Sequence, residues 1–285
     1  VLRTAATAVA QLVARVAERR SVEAVAPAPS GTRIDQPLRI VRGRKIVTVP
    51  QLCRDANGRY DLVVHFHGAP ETVEPVFQRA AIDAVFVVVN LGVGSGPYED
   101  AYLQDGSLAR LLTEIDQVVA KACPHPTGGR GRLALSAWSA GYGAISRILT
   151  QKHNIDSVVL LDGLHSGYDS AGGTLNPMQL GPFSAFAKEA AARKRLMYVT
   201  HSSIIPPGYA STTETSNYLI SEVGGRPRPS KPRRGDRFGL DLISWFVKGG
   251  FHVRGYAGNG PADHCAQFGA YGDVLRIHLA RRWRA

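Results

Sequence analysis

The sequence predicts an α/β fold, with a doubly wound, mostly parallel sheet and helices on both faces. Three observations predict it. Short apolar runs alternate with amphipathic stretches along most of the chain. One run, Ala84-Val85-Phe86-Val87-Val88-Val89-Asn90, is almost wholly apolar, as a strand buried on both faces requires. Another, Leu133-Ala134-Leu135, leads through Ser136-Ala137-Trp138 into Ser139-Ala140-Gly141, where a strand turns sharply into a helix.

Residues 1–20 read as an alanine-rich helix with Val9, Leu12, Val13 and Val16 on one side. A Pro/Ala linker follows, so residues 1–34 stand apart from a single domain over 35–285. Residues 38–49 alternate and predict a strand or hairpin that turns at Arg42-Gly43-Arg44. Strands are expected over 60–68 and 84–90, and a helix over 102–122. The serine strand follows, and its helix carries Ala140, Ala144, Ile145, Ile148 and Leu149 at helical spacing. Further strands are expected over 157–162, 195–201 and 251–256, with helices over 183–193 and 265–283. Residues 206–239 break the alternation with Pro, Gly, Ser, Thr and Arg, and read as a long loop or insertion over one edge.

The composition narrows the function classes. No run of about 18 apolar residues is present, which excludes a membrane-spanning helix from the sequence given. The chain starts at Val1 rather than Met, as a processed or trimmed end would. Its net charge is +11. The excess is concentrated between Arg226 and Arg237 and at Arg281, Arg282 and Arg284. That loop could meet an anionic surface, but it lacks interleaved aromatic residues, which argues against nucleic acid. The cysteines Cys53, Cys123 and Cys265 form no C-x-x-C pair, so zinc-ribbon and thioredoxin-like readings fail. A Cys53–Cys123 disulfide with a free Cys265 is the favoured state. It fits a secreted or periplasmic setting better than the cytoplasm.

The chemistry centres on Ser139. Small residues flank it where bulk would clash, with Ala137 two before and Gly141 two after. Such a turn pushes a serine hydroxyl into a cleft. A serine needs a base, and histidine is the usual one. His264 follows the last predicted strand and the turn Gly258-Asn259-Gly260-Pro261. In open α/β sheets, loops at the carboxyl ends of strands converge on one crevice. Asp162 ends another strand and would fix the histidine tautomer, giving the order Ser…Asp…His. Asp169, Glu214 and Asp263 are rival acids. Oxyanion donors are expected from the N–H groups of Gly68 or Ala69, after a strand, and of Ala140, after the nucleophile. His67, Trp138 and Tyr98 are expected to line the substrate pocket, and no cofactor is called for.

Taken together, His67-Gly68-Ala69, Ala137-Trp138-Ser139-Ala140-Gly141, Asp162 and His264 resemble the α/β-hydrolase fold family over about residues 35–285. The resemblance implies a Ser-His-Asp acyl hydrolase with an acyl-serine intermediate. Two departures stand out. Ala137 replaces the first glycine of the elbow. Many members also place the acid one strand later, where this chain has Thr200-His201-Ser202-Ser203 and no carboxylate.

The expected activity is therefore that of a carboxylesterase acting on a small-molecule or polymer ester. A serine peptidase or amidase on the same triad is the nearest alternative. Another is a metal-dependent hydrolase, since His65 and His67 would share one face of a strand, with Asp162, His201 and His264 available to complete a site. A non-catalytic binding module on the same fold is a further one. The run Gly92-Val93-Gly94-Ser95-Gly96-Pro97 lacks the immediate helix of a dinucleotide loop and reads as a flexible loop beside the pocket.

Overall fold

The computed structural model describes residues 38–49, 59–122, 129–169, 173–231 and 239–284. The expected N-terminal helix and linker, Cys53 and Cys123 lie outside the described residues. Residues 232–238 of the basic stretch do so as well.

The hairpin forms as expected. Strand β1 (Leu38–Arg42) pairs antiparallel with β2 (Lys45–Val49), and Gly43 supplies the positive φ of 57° that the tight turn requires. Strands β3 (Tyr60–Phe66), β4 (Val85–Val89), β5 (Arg130–Trp138), β6 (Ser157–Leu161) and β7 (Leu196–His201) follow in chain order. A short β8 (Arg228–Pro229), then β9 (Leu242–Lys248) and β10 (Phe251–Tyr256), complete the sheet. The described strands form one sheet in the order β1-β2-β4-β3-β5-β6-β7-β10-β9-β8. Pairing is parallel from β4 through β3, β5, β6 and β7 to β10, and antiparallel at both edges.

Alternation along the parallel strands feeds two cores. Phe66, Leu135, Val158 and Leu160 face one layer, with Ile115, Ile145 and Phe183 from its helices. Val63, Ala134, Val159 and Leu161 face the other, with Phe77, Tyr271, Leu275 and Trp283. Helices therefore cover both faces, which makes a doubly wound sheet. Those packed around it include α1 (Pro70–Ala80), α2 (Gly96–Tyr102), α3 (Ser107–Ala122), α4 (Tyr142–Ile148), α5 (Pro177–Ala191), α6 (Thr212–Glu222) and α7 (Pro261–Gln267). No helix among the described residues is long and apolar enough to cross a membrane.

Three elements differ from expectation. Pro97 does not interrupt the chain after the glycine run but sits in the first turn of α2, where its missing N–H costs nothing. The expected 206–239 loop contains α6. Its capping box pairs the Ser211 hydroxyl with the Glu214 N–H and the Glu214 carboxylate with the Ser211 N–H. The Thr/Ser-rich stretch has modest helix propensity, and burial of Leu219 and Ile220 holds it. Strand β9 was not expected. It folds back on β10 through Gly249-Gly250, with Gly249 at φ 58°.

Candidate active site

The carboxyl ends of β3, β5, β6, β7 and β10 gather the predicted residues. At the end of β5, Ser139 takes a φ of 51°, the left-handed region that L-residues avoid. Such strain persists only where the surroundings impose it. Here they are tight. A Cβ on Gly141 would lie 2.2 Å from the Phe66 carbonyl oxygen, and one on Gly163 would lie 2.3 Å from the Ser139 carbonyl oxygen. The elbow is thus wedged between the ends of β3 and β6, and Gly141 is required for that approach. Ala137, buried between Phe66 and Leu160, fits where the usual glycine stands. The turn Ser139–Gly141 runs straight into α4, so the first N–H groups of a helical segment lie beside the serine.

Asp162 also has a positive φ, 44°. Its backbone N–H donates to the Thr200 carbonyl at 3.0 Å, and its side chain is 2% exposed. Oδ1 accepts from the Ser202 N–H and the Thr212 hydroxyl, each at 2.7 Å. Oδ2 lies 2.8 Å from Nδ1 of His264, which is 102 residues away in the chain. Burial alone pushes this carboxyl up. The bonds and charge of His264, with Thr212 and Ser202, outweigh it and hold Asp162 below its ordinary value. A carboxylate only accepts, so His264 Nδ1 carries a proton, and in the neutral ring the lone pair lies on Nε2.

His264 lies in α7, whose first turn is capped through the Gly260 N–H bond to Asp263. Trp138 holds it from the other side. The indole stacks on the imidazole at 5.1 Å between centroids and 25° between planes, and the indole N–H donates to the His264 carbonyl at 3.3 Å.

The rival acids have other partners. Glu214 serves the α6 cap and accepts from the Tyr168 hydroxyl at 2.9 Å. Asp169 accepts from the Gly173 N–H at 3.1 Å, and Asp263 caps α7.

At the end of β3, His67 leaves the strand at φ 72° and Gly68 follows at φ 120°. The expected common face of His65 and His67 is lost at that point. His65 is wholly buried, with Nδ1 2.9 Å from the Ser136 hydroxyl and its ring beside Phe86, Phe268 and Tyr271. His67 instead sits 3.0 Å from the Tyr98 hydroxyl and tilts against Trp138 at 5.4 Å. Burial pushes both imidazoles down, His65 to about 3. His201 bonds through Nδ1 to the Thr213 hydroxyl at 2.9 Å. Among the described residues, no group of three or more potential ligands is arranged to hold a metal. Gly68 and Ala69 precede α1, and their N–H groups have no backbone acceptor among the described residues. Tyr98 is fully buried. Its hydroxyl accepts from the Leu91 N–H and lies 3.0 Å from His67 Nδ1, so with no exposed surface it supports His67 rather than presenting a face of its own.

Sequence reasoning missed Ser202 and Thr212, the donors that orient Asp162. It also missed Tyr142, His165 and Tyr209, whose rings meet near the same strand ends. The Ser211-x-x-Glu214 pattern could have revealed α6 and hence Thr212. No local signal marks Ser202.

The sheet order and the helices on both faces are those of the mostly parallel, doubly wound α/β sheet that the sequence predicts. Compared by sequence, the chain matches no protein-family model and no curated protein. Solved structures can be superposed on much of the chain at low similarity. An S-formylglutathione hydrolase from Agrobacterium tumefaciens is 10% identical, with a TM-score of 0.49 over 86% of this chain and 94% of that one. An IroE-like serine hydrolase from Shewanella oneidensis is 12% identical, with a TM-score of 0.46 over 86% and 80%. LpqC, a poly(3-hydroxybutyrate) depolymerase from Bordetella parapertussis, is 13% identical, with a TM-score of 0.43 over 81% and 84%.

Proposed function

We propose that this protein is a serine hydrolase that cleaves a carboxylic ester through an acyl-enzyme. The observation that carries the reading is the 2.8 Å bond between His264 Nδ1 and buried Asp162, beside a serine held at φ 51°. In this reading His264 Nε2 takes the proton of the Ser139 hydroxyl as Oγ attacks the ester carbonyl. The oxyanion is met by the N–H groups of Ala140 and of Gly68 or Ala69. Collapse expels the alcohol, protonated by His264. Water then repeats the sequence with His264 as base, releases the acid and restores Ser139. Asp162 remains a carboxylate throughout, because its bonds from Ser202 and Thr212 stabilise the charged form.

The same three residues would also serve an amide, since the histidine that takes the serine proton can return it to an amine leaving group, so ester and amide are separated by experiment. The test is a panel of p-nitrophenyl esters of varied acyl length with a matched anilide, run on the wild type and on Ser139→Ala. Turnover of esters but not anilide, abolished by the substitution and by a fluorophosphonate, supports the reading. Anilide turnover at comparable rate moves it to a peptidase or amidase. Loss of activity in chelator, restored by zinc, moves the chemistry away from Ser139. A protein that labels with no fluorophosphonate and turns over nothing is a binding module.

A further inference from the structure

Beside the triad stands a wall of rings that the proposed reaction does not use. Tyr142 lies three residues after Ser139, in the first turn of α4. His165 lies three residues after Asp162, in the loop beyond β6. Tyr209 comes from the loop between β7 and α6. The three meet edge to face. The His165 centroid is 5.7 Å from that of Tyr142 at 68°, and 5.1 Å from that of Tyr209 at 86°. His165 is close enough to the dyad that Asp162 raises and His264 lowers its proton affinity, while burial, the largest effect, pushes it down. Tyr209 is 44% exposed and the neighbouring Ile205 is 85% exposed, so the outer end of the wall opens to solvent.

The polar edges of the wall are constrained. His165 Nδ1 lies 3.1 Å from the Ala210 carbonyl, which only accepts, so Nδ1 carries the proton. A neutral imidazole then has a lone pair on Nε2, which no described group uses. Burial pushes the Tyr142 hydroxyl up, so it stays protonated, with nearby Ser95 acting against that shift. Edge-to-face rings leave a π-face for a further ring, and Nε2 adds a single acceptor. Aliphatic walls would serve an alkyl chain as well. Three rings joined to an acceptor select a flat group that carries a hydroxyl.

We infer that Tyr142, His165 and Tyr209 form a specificity subsite for a planar, hydroxyl-bearing ring of the ester, with the hydroxyl donating to His165 Nε2. The inference rests on the esterase reading above. The ring could belong to the acyl or to the alcohol half, and the test separates the two.

Methyl 3-(4-hydroxyphenyl)propanoate and 4-hydroxybenzyl acetate are compared with their unhydroxylated forms and with methyl hexanoate and hexyl acetate. The hydroxyaryl ester on the correct side should exceed its alkyl match at least tenfold in kcat/KM. His165→Phe should abolish the preference for the hydroxylated over the plain ring. Tyr209→Ala should lower the aryl-to-alkyl ratio, mainly through KM. Equal ratios in wild type and variants, on both sides of the ester, overturn the subsite. Calorimetric titration of 3-(4-hydroxyphenyl)propanoate and 4-hydroxybenzyl alcohol into Ser139→Ala reads the subsite without turnover. Binding that weakens several-fold in Ser139→Ala/His165→Phe, with no esterase activity in the wild type, would refute the esterase reading and keep the subsite. Binding of neither probe, or binding unmoved by the substitution, would refute the subsite.

Discussion

His264 and the His252–His278 pair sit at opposite ends of the same logic. All three imidazoles are partly buried near β10. His264 has a carboxylate at 2.8 Å and an indole stacked on its ring. His252 and His278 have each other, at 4.7 Å between centroids, with Tyr198 alongside at 5.9 and 4.8 Å. Burial first pushes both histidines down to about 4, followed by the charge of His278 and then of Arg254 at His252, and by that of Arg254 and then of Arg281 at His278. The difference teaches that an imidazole's surroundings set what it can do. A buried carboxylate fixes the tautomer of His264, and burial first, with nearby positive charge after it, keeps His252 and His278 neutral packing groups.

The largest break in this contrast comes from removing what His264 acts on. Ser139→Ala should lower kcat by about five to six orders of magnitude if serine and histidine work as a unit. Its melting temperature should stay near wild type. Retained ester turnover in the folded variant would end the serine mechanism.

Taking away the carboxylate should make His264 resemble the other pair. Asp162→Asn leaves the Ser202 and Thr212 donors facing an amide and frees Nδ1 from its acceptor. Activity should fall on the order of ten-thousandfold, through the wrong tautomer. Asp169→Asn and Glu214→Gln are the controls, and an inactive Glu214→Gln beside an active Asp162→Asn would reassign the acid.

A smaller effect tests the indole. Trp138→Leu keeps the acid but removes the stack and the bond to the His264 carbonyl. We expect kcat to fall about tenfold, because sub-ångström misplacement of a catalytic group is costly. The loss should lie in kcat, with KM for a short ester little changed. A loss confined to KM would make Trp138 a substrate contact instead.

The gentlest test is acid stability, and its sign follows from the shifts. The native forms of His252 and His278 take up a proton only near pH 4, against an ordinary 6.5. The unfolded chain therefore protonates first as pH falls. The stability tied to these neutral rings is complete above about 6.5 and is lost on the way down to about 4. Asp162 behaves the other way. Its lowered carboxyl contributes above its ordinary 3.8 and loses that contribution only at more acid pH. Thermal unfolding followed from pH 7 to 3 should give these two regimes. His278→Asn should make the first shallower without abolishing it, since burial also holds down His65, His67, His153, His165 and His201, and an unchanged slope would contradict the pairing.

Much of this was legible in the sequence, for local reasons. Runs such as residues 85–89 are wholly apolar because both sheet faces are covered, so the parallel core announced itself. The elbow was legible because a positive φ at Ser139 and a 2.2 Å approach at Gly141 admit few residue types. Asp162 and His264 were legible as strand-end residues. Helix α6 was hidden by its polar composition, and α2 by reading Pro97 as a breaker when it opens a first turn.

By itself, then, the sequence determined the layering of the sheet and the strained turn at Ser139, since these depend on periodicity and on steric limits within a few residues. Only the tertiary structure decided which acid faces His264, that Ser202 and Thr212 hold it, that His65 and His67 part at the strand end, and that three rings meet beside the elbow. Those outcomes depend on contacts between residues as far apart as Asp162 and His264, separated by 102 positions. No local pattern encodes such a distance, because it exists only once the strands are paired and their carboxyl ends are brought to one edge.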